Sequence, residues 1–156
     1  MNSENEQNSA NNHFWCLSKT GEKLGLIIRA NHSVSGIEFF TPPDFGQQLA
    51  LMRRPAGEEI EPHVHLPVNR ELVGTQEVLI MREGRMRVDF YDIDRSYVAS
   101  TELNPGDVAL MNLGGHGFEI LEDSLFIEVK QGPFVEGEDK IRFVSTRTGE
   151  LKEVPR

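Results

Sequence analysis

The chain has 156 residues, enough for one domain with a proper core, and its 38% hydrophobic and 26% charged content is that of an ordinary soluble globular protein. A net charge of -9 argues against nucleic acid or an anionic membrane surface as the main partner, because both require clustered Lys and Arg. One cysteine, Cys16, excludes an internal disulfide and a Cys-based zinc cluster, and suits a reducing cytoplasm.

Residues 1–12 are rich in Asn, Ser, Glu and Gln and lack an apolar run, so they read as a disordered tail and not as a signal or anchor. No apolar stretch approaches the length of a membrane span. Short β-type runs follow at 14–17, 24–28, 37–40, 48–52 and 59–65, then at 77–81, 84–91, 97–103, 107–111, 116–121, 124–130 and 141–144. Turn signals separate them, among them Lys19-Thr20-Gly21, Pro42-Pro43-Asp44, Pro55-Ala56-Gly57 and Pro105-Gly106. No segment of helical length shows a 3.6 period, so the reading is all-β, a sandwich or barrel. Glu83-Gly84 predicts a tight hairpin between two strands. The expected organisation is a tail at 1–12, N-terminal strands at 13–45, a barrel at 46–146 and a C-terminal tail at 147–156.

Parity along the strands sorts the side chains by face. Glu77, Leu79 and Met81 are expected inward, as are Met86, Val88 and Phe90, with Arg85, Arg87 and Asp89 on a solvent face. Phe118 and Ile120 share the face of His116. Two histidines at i and i+2, His63 and His65, would project together from one strand. Joined by the carboxylate of Glu77 and the imidazole of His116, they make a nitrogen/oxygen site suited to a divalent first-row metal. The bland alternatives are surface histidines on an edge strand, a solvated Glu77, and His116 as an ordinary loop residue. His13 and His32 have no partner visible in the sequence and read as surface residues, and Cys16 as a small buried hydrophobe.

These residues carry a resemblance. Gly57-Glu58-Glu59-Ile60-Glu61-Pro62-His63-Val64-His65 resembles the start of the first cupin motif, and Glu77 through Gly84 resembles its second half. Pro105-Gly106-Asp107-Val108 with Gly114-Gly115-His116 resembles the second motif. Ile127-Glu128-Val129-Lys130-Gln131-Gly132-Pro133-Phe134 is similar to the end of small cupins found among surface-polysaccharide biosynthesis genes. The resemblance covers roughly residues 48–134. It implies a single-domain cupin-type β-barrel (a double-stranded β-helix or jelly roll) with extra N-terminal strands that pair across a homodimer. It also implies one divalent metal (Fe, Mn, Ni or Zn) held by His63, His65, Glu77 and His116. The chain departs from the pattern in three places. Eleven residues separate His65 from Glu77, longer than the family's short spacer. Asn112 stands where a proline is usual, with His116 one residue early, and Ile120 replaces the usual asparagine region. The long loop leaves Glu71 as an alternative carboxylate.

Such a metal can polarise a carbonyl or hydroxyl, activate water, or bind O₂ as Fe(II). Three functions stay open: a metal-dependent enzyme on a small oxygen-rich molecule, isomerase- or epimerase-like with a sugar or sugar nucleotide favoured only by the resemblance; an Fe(II) dioxygenase on a small organic acid or thiol; and a non-catalytic metal- or ligand-binding module. Arg70 in the long loop is a candidate anchor for a substrate carboxylate or phosphate, against the reading of a solvated arginine. Glu119 and Gln131 are candidate supporting groups, although parity points Glu119 away from His116.

Overall fold

The computed structural model describes residues 12–133, 135, 140–148 and 151–154. The expected N-terminal tail therefore lies outside the described residues except for Asn12, as does Phe134. The described chain is all-β, with ten strands and no helix. They are β1 (His13–Leu17), β2 (Lys23–Ile28), β3 (Ile37–Phe39), β4 (Ala50–Met52), β5 (Glu77–Glu83), β6 (Met86–Tyr91), β7 (Tyr97–Leu103), β8 (Val108–Met111), β9 (Gly115–Ile120) and β10 (Leu125–Lys130). No helix among them is long and apolar enough to cross a membrane. The chain forms two compact units, one from the described parts of Met1–His32 and Thr75–Arg156, the other from Ser33–Gly74.

The first unit holds two antiparallel sheets, ordered β1-β2-β8-β5-β10 and β7-β6-β9. Their facing sides share one core. Ile27, Leu79, Met81, Ala109 and Met111 come from the larger sheet, and Met86, Val88, Phe90, Ala99 and Leu103 from the smaller. Alternation dictates this, since the named side chains on any one strand are two or four residues apart and so share a face. Full burial of such a side chain is worth about 1.5–3 kcal/mol. Among the described residues β9 and β10 each pair with one strand only, and there apolar side chains stay exposed: Phe118, Ile120, Leu125, Ile127 and Val129.

Gly84 does not close a hairpin. Strands β5 and β6 belong to different sheets, so the Gly84-Arg85 link carries the chain across the core. Gly84 has φ +76°, and a Cβ there would overlap the Asp123 carbonyl oxygen. Both facts demand glycine. The Pro105-Gly106-Asp107 turn is an anchor: the buried Asp107 carboxylate accepts from the Ala30 amide at 2.8 Å, the Asn104 amide at 3.0 Å and Arg29 Nη1 at 2.8 Å.

The solvent face expected for Arg87 and Asp89 is buried. Arg87 Nε donates to Asp89 Oδ1 at 2.8 Å, and Nη2 reaches Glu119. Arg147 approaches Asp89 at 3.6 Å. Beside them the Ser100 amide donates to the Lys152 carbonyl at 2.7 Å, making a parallel bridge between Ser100 and Glu153, and Val154 enters the core. Residues 152–154, from the segment expected as a tail, thus line the outside of β7. Phe143, in an expected strand at 141–144, lies in irregular chain and packs edge-on against Tyr91 at 5.2 Å.

The second unit contains the hairpin β3–β4, paired from Ile37↔Met52 to Phe39↔Ala50. The Leu49 amide donates to Thr41 Oγ1 at 2.9 Å, and Gln48 Nε2 donates to the Pro42 carbonyl at 2.8 Å. The strand expected at 59–65 is absent: residues 58–73 have no regular structure and every one is exposed. Pro62 and Pro67 remove two donors from this stretch, but the decisive lack is a neighbouring strand, without which an extended segment has nothing to pair with.

Candidate functional site

Two of the four candidate ligands meet inside the first unit. Glu77 opens β5 in the larger sheet, and His116 sits on β9 in the smaller one, each on its inward-facing side. Their side chains touch across the sandwich, His116 Nε2 to Glu77 Oε2, at 3.0 Å. Lys130 lies directly opposite Glu77 on β10, and its Nζ stands 3.6 Å from the other carboxylate oxygen, Oε1, and 3.2 Å from Glu128 Oε1. Phe118 closes one side, its ring 5.3 Å from that of His116.

The electrostatics follow from these contacts. The hydrogen bond with His116 holds the Glu77 carboxyl below the usual range, against partial burial that works the other way; Lys130 and Lys140 add to the lowering. Lys130 is raised, first by its hydrogen bond to Glu128. A polar chain fixes the start of β5 beside the pair. Gln131 Oε1 accepts from the Gln76 amide at 2.8 Å, and Gln76 Nε2 donates to Asn112 Oδ1 at 2.6 Å. Asn112 Nδ2 donates to the Lys23 carbonyl at 2.7 Å, and its amide donates to the Leu24 carbonyl at 2.8 Å. A proline at 112 could not make that last bond. Gln131 therefore supports the site through the backbone of Gln76. Glu119 faces the other side of β9 toward Arg87, as its parity required.

His63 and His65 belong to the second unit. Both are exposed, with ring centroids 5.3 Å apart, and His63 Nδ1 lies 3.0 Å from the Glu61 carbonyl oxygen. Arg70 and Glu71 are exposed in the same irregular stretch.

The chain matches no family model, no curated protein and no solved structure.

Sequence reasoning missed a second pair of imidazoles. His13 and His32 are not isolated surface residues: their rings pack edge-on at 4.9 Å, with ligand nitrogens within 4.8 Å of each other, so the pair could contribute to a metal site. No sequence signal marks them: His13 opens β1 in register with Ile28, and His32 lies four residues beyond the end of β2. A cleft of about 630 Å³ lies elsewhere on the first unit, lined in part by Arg29, Arg87, Thr101 and Asp107. It contains none of the predicted site residues. Its two guanidinium groups are committed to carboxylates, Arg29 to Asp107 and Arg87 to Asp89.

Proposed function

We propose that this protein is a metal-dependent cupin enzyme, with His63, His65, Glu77 and His116 ligating one divalent first-row ion. The observation that carries the reading is the Glu77–His116 contact. A carboxylate oxygen and an imidazole nitrogen, from strands of different sheets, sit 3.0 Å apart. Two cis ligands at about 2.1 Å from an octahedral ion are separated by about this distance. The spacing of Glu77 and His116 therefore suits such an ion. The substrate in this reading is a small molecule with adjacent oxygens, and the reaction is isomerase- or epimerase-like. When bound, the metal supplies Lewis-acid polarisation of those oxygens. The chain's own groups do the rest. Lys130 takes one oxygen of Glu77 and leaves the other aimed at His116, which fixes the carboxylate's rotation. The Gln131–Gln76–Asn112 chain holds the strand that presents it, and Phe118 packs its ring beside that of His116.

Elemental analysis of protein purified without chelators tests this directly. The expected result is one ion per chain, with Glu77→Gln and His116→Ala each weakening binding by about tenfold or more and Glu71→Gln leaving it unchanged. Failure of the wild-type protein to take up Fe(II), Mn(II), Ni(II) or Zn(II) after incubation would overturn the proposal. Loss of metal in Glu71→Gln with retention in Glu77→Gln would move the carboxylate role to Glu71.

A further inference from the structure

The cleft of about 630 Å³ on the first unit has a floor whose polar groups are already matched and a rim whose polar groups are not. In the floor, Arg29 Nη1 donates to the Glu102 carbonyl at 2.6 Å and to Asp107 Oδ2 at 2.8 Å. Its Nη2 donates to Thr101 Oγ1 at 2.7 Å, and its guanidinium carbon lies 5.2 Å from the centre of the Phe14 ring. Asp107 and Ser100 are buried, and Ser100 Oγ donates to the same Asp89 oxygen that takes Arg87 Nε. Both guanidinium charges are cancelled, and the groups around them are held in place.

The rim differs. Three asparagines line it from separate parts of the chain: Asn12 before β1, Asn31 after β2 and Asn104 after β7. Main-chain bonds secure two of these places without using the side chains. The Asp107 amide donates to the Asn104 carbonyl at 2.9 Å, and the Arg29 amide to the Asn12 carbonyl at 2.7 Å. Among the described residues none of the three side-chain amides makes a hydrogen bond, and neither does the carboxylate of Glu153, which the bridge to Ser100 brings alongside. One such residue is an ordinary solvated side chain. Four around a single concavity are a set of convergent polar groups of the kind that orients a small ligand.

We propose that this cleft binds a neutral polyhydroxylated ligand, a sugar or polyol. It uses none of the residues of the metal reading, so either can fail without the other. The rim selects the class. A side-chain amide offers donors and an acceptor, and a hydroxyl both donates and accepts, so amides and a carboxylate together satisfy adjacent hydroxyls in either direction. An anion finds no cation to pair with, because Asp107 neutralises Arg29, and Asp89 with Glu119 neutralises Arg87. Glu102 is already paired with Arg85. An amine would meet only the Glu153 carboxylate and leave the amide donors unanswered. Exposed Pro105 and Leu151 supply apolar surface for the C–H faces of a ring. The volume falls within the range of about 300–1,000 Å³ usual for small-molecule sites.

An NMR titration of the full-length protein tests this. The neutral probes are D-glucose, D-galactose, myo-inositol, maltose and cellobiose, with inorganic phosphate as the anion and putrescine as the cation. At least one neutral probe is expected to give saturable amide shifts at residues 29–31, 100–107 and 151–154, with Glu77 and His116 unmoved. Asn31→Ala and Asn104→Ala remove exposed side chains without internal bonds, so each should keep the wild-type urea midpoint and raise the dissociation constant about three- to tenfold. Glu77→Gln should leave that constant unchanged. No saturable shift with any neutral probe at about 100 mM, far above a millimolar constant, overturns the proposal. Tighter binding of phosphate or putrescine than of every neutral probe also overturns it, as does undiminished binding by the double variant Asn31→Ala with Asn104→Ala.

Discussion

The two oxygens of Glu77 answer to different partners, Oε2 to His116 and Oε1 to Lys130. That division sets how the site responds to acid. The carboxyl titrates below its ordinary value in the folded chain, chiefly through the His116 hydrogen bond. A lowered folded value means the pair adds stability above the unfolded carboxylate range and loses it as pH falls through the folded value. Urea unfolding of the metal-free protein should therefore show wild type losing stability below about pH 5 more steeply than Glu77→Gln. Parallel curves for the two proteins would mean the contact does not form in solution. Cys16 runs the other way. Burial pushes its thiol from 9.0 up to about 12, so the folded state disfavours the thiolate. Stability linked to Cys16 is complete below the unfolded value of 9.0 and is lost as pH rises from there toward about 12. At pH 8 a water-soluble alkylating reagent should label it only at the rate of unfolding, and fast labelling of native protein would contradict its burial.

Strands were legible where both pattern and partner were local. The runs at 14–17, 24–28 and 97–103 fall within one residue of β1, β2 and β7, because alternating apolar residues between turn signals leave little choice. Turn chemistry was legible as a break and not as a destination. Gly84 ends β5 in either case, yet whether the chain turns back or crosses to a second sheet depends on Asp123 and Ser124, some forty residues on. Parity correctly placed Met86, Val88 and Phe90 inward, but it could not show that the opposite face, with Arg87 and Asp89, is covered as well. That cover comes from Arg147 and the stretch around Glu153, far away in sequence. Parity placed Glu77 and His116 on inner faces, but their contact was not visible, because it depends on how strands of two different sheets stack. The His13–His32 pair was not visible either, because nothing in their spacing marks it. The Gly84 crossover yields a prediction. Gly84→Ala must hold a positive φ and displace the Asp123 carbonyl, together about 2–4 kcal/mol of lost stability. The urea midpoint should fall accordingly, with an unchanged m-value. A shift under about 0.5 kcal/mol, the range of an ordinary surface substitution, would show that the corner is not constrained.

At the scale of the whole molecule, the two units differ in how their backbone is protected. The sheets of the first unit bury their hydrogen bonds around a shared core, whereas residues 58–73 of the second hold an exposed, irregular backbone. Proteases cut where the chain can be pulled into an extended form without breaking other contacts. Within Ser33–Gly74 there are three arginines, and they are not equivalent. Arg53 follows β4 and donates through Nε to the Val34 carbonyl at 3.0 Å and through Nη2 to Ser33 Oγ at 3.0 Å. Arg54 precedes Pro55, a bond trypsin cuts poorly, and pairs with Glu58 at 2.6 Å. Arg70 lies within the irregular stretch and has an ordinary residue, Glu71, after it. Within Ser33–Gly74, limited trypsin treatment of dilute protein should therefore cut after Arg70 before it cuts after Arg53 or Arg54, as read by intact mass. Zn(II) should slow that cut through His63 and His65, and His63→Ala with His65→Ala should abolish the slowing. A first cut after Arg53, or after Arg82 within β5, would mean that the irregular stretch is shielded and that the core sheets open first.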